Sequence, residues 1–127
     1  MSATILLVED NAQNRYLATF LLESAGHRVL HAGDGRAAVA AAQREPPDLI
    51  LMDIQMPEMD GYEAARQIKA DPRLAAVALV AVTSYAMSGD HKKARELGFI
   101  GYIEKPISTE TFIAEISRFL PTNPGIP

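Results

Sequence analysis

The sequence predicts an α/β domain: a five-stranded parallel sheet with helices on both faces. Three observations lead there. Short apolar runs alternate with helical patterns through five β-α units. The first, third and fourth runs (T-I-L-L-V at 4–8, D-L-I-L-M at 48–52, A-L-V-A-V at 78–82) are continuously apolar rather than alternating, as strands covered on both faces should be. Gly or Pro punctuates the chain between units, at Gly26, Pro46-Pro47, Pro72 and Gly98.

Each element follows from local chemistry. Residues 4–8 form the first strand and end at Glu9-Asp10. Residues 11–25 have helical spacing, with Leu17, Leu21 and Leu22 on one side and Gly26 as the stop. Residues 28–32 form the second strand, and Gly33-Asp34-Gly35 a turn. Residues 36–45 are Ala-rich and helical until the prolines end them. The third strand, 48–52, runs into Asp53, and a Met-Pro-Glu-Met-Asp-Gly loop leads to a helix over 62–70 with Ala65 and Ile68 inward. The fourth strand, 78–82, ends at Thr83. A short polar helix over 90–97 precedes a fifth strand at 101–104, then Lys105-Pro106. Ser108 is the expected N-cap of a last helix striped by Phe112, Ile116, Phe119 and Leu120. The domain spans 1–120, and P-T-N-P-G-I-P at 121–127 reads as a flexible Pro-rich tail.

Composition narrows the function. One domain of ordinary size accounts for 127 residues, 48% of them apolar and 22% charged. The absence of cysteine excludes thiol catalysis, thiolate metal sites and disulfides, and fits a reducing, cytoplasmic location. No apolar run reaches the length of a membrane span, and no basic leader precedes the first strand. Sixteen acids against twelve bases, a net charge of −4, provide no footprint for nucleic acid.

In a parallel α/β sheet the reactive crevice lies at the carboxyl ends of the strands. There the chain places Glu9-Asp10, Asp53, Thr83 and Lys105. Three converging carboxylates would raise one another's proton affinity. A cation resolves that conflict. Lys105 supplies one positive charge, and an oxygen-only site with few protein ligands suits Mg²⁺.

These segments resemble the receiver domain of two-component response regulators: L-V-E-D-N at 7–11, D-L-I-L-M-D-I-Q-M-P-E-M-D-G at 48–61, A-V-T-S-Y-A-M at 81–87 and Y-I-E-K-P-I at 102–107. The resemblance covers positions 4–120, and it is strongest to stand-alone regulators and to receivers of hybrid histidine kinases. It implies a flavodoxin-like, doubly wound (βα)5 fold with strand order 2-1-3-4-5. It implies that Asp53 accepts a phosphoryl group from a histidine kinase or a histidine phosphotransfer protein. Asp10, Asp53 and the backbone carbonyl of Gln55 would ligate Mg²⁺, with Glu9 acting through water. Thr83 and Lys105 would each engage a phosphoryl oxygen, and Lys105-Pro106 would be a cis peptide. Thr83 and Tyr102 would form a switch pair, while Gln55 and Tyr85 would tune phosphate lifetime, Tyr85 by shielding the phosphoryl group from water. The output surface would be the last two helices and strand five, including Lys92, Lys93, Arg95 and Tyr102. The chain would act as a monomer or a weak phosphorylation-dependent dimer, without nucleic acid or membrane, and would turn over no external substrate. A receiver belonging to a hybrid kinase, a degenerate receiver that binds partners without phosphate, and a small nucleotide-binding enzyme are the competing expectations.

Other features read as structure. His27, His31 and His91 lack ligand spacing and are expected at the surface. Met52, Met56 and Met59 read as packing and loop residues, and Tyr62 as packing at the start of its helix. G-D-G-R-A-A at 33–38 fits a dinucleotide-binding fingerprint, with Asp53 20 residues beyond Gly33. It follows the second strand rather than the first, so it reads as a Gly-containing turn opening a helix.

Overall fold

The computed structural model of the protein describes residues 3–54, 61–83, 92 and 94–120. Strands β1 (Thr4–Val8), β2 (Arg28–Ala32), β3 (Leu49–Asp53), β4 (Ala78–Thr83) and β5 (Phe99–Glu104) form one sheet in the order β2-β1-β3-β4-β5, parallel throughout. Helices α1 (Ala12–Ser24), α2 (Gly35–Arg44) and α3 (Gly61–Ala70), a 3₁₀ turn at Pro72–Leu74 and a C-terminal helix (Phe112–Phe119) pack on it.

The apolar runs fill two core layers because alternate residues of a strand face opposite ways. Leu6, Val8, Ile50, Met52, Leu79 and Ala81 face α2 and α3, where Ala38, Ala42, Ala64, Ala65 and Ile68 meet them. Ile5, Leu7, Leu49, Leu51, Val80 and Val82 face α1 and the C-terminal helix, meeting Ala18, Leu22, Phe112 and Ile116. The alanines of α2 bring that helix close to the sheet. Tyr62 packs edge-on against Phe99, with ring centroids 6.5 Å apart.

The caps obey local chemistry. The Asn11 side chain accepts from Asn14 N–H at 2.9 Å, and Asp34 from Ala37 N–H at 2.8 Å. Gly26 and Gly98 adopt positive φ, 94° and 102°, which glycine tolerates at little cost. Gly26 ends α1 as its position in the sequence predicts.

Three local expectations are corrected. β5 begins at Phe99, two residues before the expected start, because a bulge accommodates an extra residue: Leu79 pairs with Phe99, but Val80 pairs with Gly101. Ile100 is the residue left over, and it is exposed. The C-terminal helix starts later than Ser108. Its N-cap is Thr111, whose side chain makes no capping bond, and the backbone carbonyl of Ser108 accepts from Phe112 N–H at 2.9 Å. His27 is buried, because its Nδ1 accepts from Ala3 N–H at 3.1 Å. His31 lies at the surface and pairs with Thr19. His91, Met56, Met59 and the 121–127 tail lie outside the described residues, as do most of the 90–97 segment's first turn; Ala94 to Glu96 are helical.

Candidate functional site

Backbone bonds extend the ladder past the carboxyl ends of the strands, from β1 to β2, from β3 to β4 and from β5 to β4. Glu9 N–H donates to Ala32 O at 3.1 Å, Ile54 N–H to Val82 O at 3.3 Å, and Lys105 N–H to Thr83 O at 2.8 Å. This brings Glu9 and Asp10 just past β1, Asp53 at the end of β3, Thr83 at the end of β4 and Lys105 just past β5 to one crevice. Glu9, Asp53 and Thr83 are buried, while Asp10 is exposed.

Carboxylate oxygens of Glu9, Asp10 and Asp53 lie within 4.8 Å of one another. Lys105 Nζ donates to Asp53 Oδ2 at 2.9 Å and stands 3.3 Å from Glu9 Oε1. Burial pushes the Glu9 carboxyl above its usual range, opposed by the Asn11 N–H it accepts at 3.2 Å and by the Lys105 charge. Burial alone would lower the Lys105 ammonium. Its hydrogen bond to Asp53 and the charges of Asp53 and Glu9 outweigh that and hold it above the ordinary lysine value. The Lys105–Pro106 peptide bond is cis.

Three carboxylates facing one ammonium leave the pocket short of positive charge. Two of them are buried, so solvent screens them poorly. The donor set is all oxygen and hard, and it fits a small divalent cation such as Mg²⁺. Glu9, Asp10 and Asp53 would hold it.

Tyr102 lies on β5 opposite Ala81, 42% exposed, two strand positions before the crevice. Lys92 and Arg95 are exposed. Gln55, Tyr85 and Lys93, three of the residues the resemblance singles out, lie outside the described residues.

Sequence reasoning missed three residues, two beside this crevice and one toward the other end of β5. Gly61 opens α3 against the backbone of Ile54, where a Cβ would sit 2.6 Å from Ile54 Cα and 3.1 Å from Asp53 O. Gly101 lies under the Phe119 ring, 2.4 Å from where its Cβ would be. Arg15 Nη1 donates to Glu9 O at 3.1 Å. For Arg15 a signal existed: it stands one helical turn past Asn11, which abuts the acidic pair.

An acidic crevice closed by one lysine, at the carboxyl edge of a 2-1-3-4-5 parallel sheet, defines a class, and sequence comparison agrees: residues 5–117 match the response regulator receiver domain, and the chain belongs to that family. Among curated relatives, the polar-differentiation response regulator DivK of Brucella ovis is 40% identical over 120 residues, covering 94% of this chain and 98% of that protein. DivK of Brucella anthropi matches to the same extent, 40% identical over 120 residues. Among solved structures, chemotaxis protein CheY4 of Vibrio cholerae superposes with a TM-score of 0.90 at 28% identity, covering 94% of this chain and all of that one. The receiver domain of a sensor histidine kinase of Pseudomonas aeruginosa, described with a magnesium ion coordinated in its active-site cleft, gives a TM-score of 0.85 at 36% identity, covering 94% and 98%. The protein is thus a receiver domain homologous to DivK, and such domains work with a histidine kinase or phosphotransfer partner. No described helix is long and apolar enough to cross a membrane.

Proposed function

We propose that the protein is a single-domain response regulator that accepts a phosphoryl group on Asp53 and signals by phosphorylation-dependent protein binding. The observation that carries this reading is the Asp53 carboxylate, held by Lys105 at 2.9 Å within a three-carboxylate crevice.

In this mechanism a carboxylate oxygen of Asp53 attacks the phosphorus of a phosphohistidine on the partner. The phosphorus–nitrogen bond breaks and the imidazole leaves. Asp10, Asp53 and the Gln55 carbonyl, with Glu9 through water, would hold Mg²⁺, which would supply positive charge against the phosphoryl oxygens. The chain's own part is positioning. Lys105, ionised and already at Asp53, pairs with a phosphoryl oxygen once the group arrives. Thr83 offers its hydroxyl to another, from the end of the neighbouring strand. Tyr102, on β5 two positions before the Thr83 partner Glu104, turns inward as the hydroxyl moves, which shifts the population of two packings. Tyr85 shields the phosphoryl group from water, and with Gln55 sets its lifetime.

The phosphodonor is a sensor histidine kinase or a phosphotransfer protein. Exposed Tyr16 (74%) and Phe20 (58%) on α1, the helix that follows the Glu9-Asp10 pair, support a protein partner on that helix. The downstream target binds the last two helices and β5, where Ile100, Tyr102 and Arg95 are exposed. The protein works in the cytoplasm, monomeric or weakly dimeric when phosphorylated, and catalyses only its own phosphorylation and dephosphorylation. Incubation with Mg²⁺ and phosphoramidate, followed by intact-mass analysis, should add one phosphoryl group to the wild type and none to Asp53→Asn. A wild type that stays unmodified, or an Asp53→Asn protein that labels equally, overturns the reading.

A further inference from the structure

One hydrogen bond ties α1 to the end of β1. Arg15 Nη1 donates to the carbonyl oxygen of Glu9 at 3.1 Å. That carbonyl belongs to the peptide unit joining Glu9 to Asp10, so fixing it fixes the direction in which Asp10 leaves the strand. The Glu9 side chain has anchors of its own, the Asn11 N–H at 3.2 Å and Lys105 Nζ at 3.3 Å. The Asp10 carboxylate is exposed and has no hydrogen-bonding partner among the described residues. Its aim into the crevice depends on backbone.

We propose that Arg15 is a positioning residue for the cation site: it clamps the Glu9–Asp10 peptide so that Asp10 converges with Glu9 and Asp53. The inference rests on the receiver reading above, in which these three acids hold Mg²⁺. Charge and geometry pull in opposite directions here, which makes the idea decidable. A guanidinium bonded to the Glu9 carbonyl, at the margin of the acidic crevice, repels a cation, so removing it would tighten cation binding if charge were all that mattered. Removing a clamp loosens binding instead. Arg15 is half-buried and belongs to neither core layer, so its substitution does not open the core.

The test is Mg²⁺ titration by calorimetry on the full chain, with thermal melts in metal-free buffer alongside. Arg15→Met, which keeps the aliphatic stem and loses the donors, is expected to bind Mg²⁺ about tenfold more weakly, the lower end of the loss seen when outer partners of metal ligands are removed. Arg15→Lys, which keeps a donor, is expected to recover part of that affinity. Both should melt close to the wild type without metal. Equal or tighter Mg²⁺ binding by Arg15→Met overturns the clamp. If Arg15→Met is poorly folded, Arg15→Leu, which also lacks a donor, replaces it, and wild-type affinity in that variant is equally fatal. A wild type that binds no Mg²⁺ overturns the receiver reading itself, a different result from wild-type binding that survives the substitution.

Discussion

Lys105 Nζ stands 2.9 Å from Asp53 Oδ2 and 3.3 Å from Glu9 Oε1, across a crevice that joins the ends of the first, third and fifth strands. The lysine is the crevice's counterion before any metal or phosphate arrives. Lys105→Met leaves two buried carboxylates unopposed and should lower metal-free stability by about 2 kcal/mol, below the usual cost of breaking a fully buried pair because the lysine keeps some solvent access. Urea melts with and without Mg²⁺ check this, and Mg²⁺ should restore part of the loss. Equal midpoints for the variant and the wild type in metal-free buffer would contradict it.

Two glycines separate space from sequence. A Cβ on Gly61 would meet the Ile54 backbone at 2.6 Å, whereas a Cβ on Gly33 meets nothing within 4 Å. Gly61→Ala must move the end of β3 or the start of α3, at a cost of about 1–3 kcal/mol, and should slow phosphoramidate labelling of Asp53. Gly33→Ala should change neither. Chemical denaturation and labelling rates on the pair give the comparison, and identical behaviour would count against the steric account.

The Phe119 ring fills the space a side chain at position 101 would need, with two ring carbons 2.4 Å from the ideal Cβ. Gly101→Ala therefore has to displace the last turn of the C-terminal helix. Its destabilisation should be smaller in a Phe119→Leu background than in the wild type. A double-mutant cycle measures this coupling, expected at about 1 kcal/mol, and strict additivity would rule the contact out.

Burial lowers the pKa of His27, whose Nδ1 must stay unprotonated to accept from Ala3 N–H. The sign follows. The folded value lies below the unfolded one, so the neutral ring's contribution is complete above about pH 6.5 and is lost as pH falls through the folded value. Stability should therefore drop between pH 7.5 and pH 5, and His27→Gln should flatten that drop. Urea midpoints across the range provide the measurement. A His27→Gln profile parallel to the wild type would refute the assignment.

These residues also mark how far the sequence could be read. The sheet was legible because strands buried on both faces are continuously apolar, and Leu49 to Met52 can be little else. The crevice was legible because its residues follow those strands directly: Glu9, Asp53, Thr83 and Lys105 are each named by a strand ending. What failed were relations between distant positions. His27 is buried because of Ala3, 24 residues away. Gly101 is required by Phe119. Ser108 was expected to cap with its hydroxyl, but its carbonyl does the bonding, a distinction residue type does not carry. The start of β5 was missed because Ile100 is an additional residue, and only pairing with β4 identifies it.

That additional residue bears on insertions and deletions. β5 stays in phase with β4 from Gly101 onward only because Ile100 is set aside: Tyr102 faces Ala81, Ile103 faces Val82, and Lys105 follows in reach of Asp53. A chain shortened by one residue at Ile100 keeps that phase, since Phe99 and Gly101 would simply become adjacent in the ladder. Shortening by one between Tyr102 and Glu104, with Ile100 still set aside, turns Lys105 to the other side of the sheet. The segment leading to the lysine thus has one position where its length is negotiable, followed by a stretch where it is not.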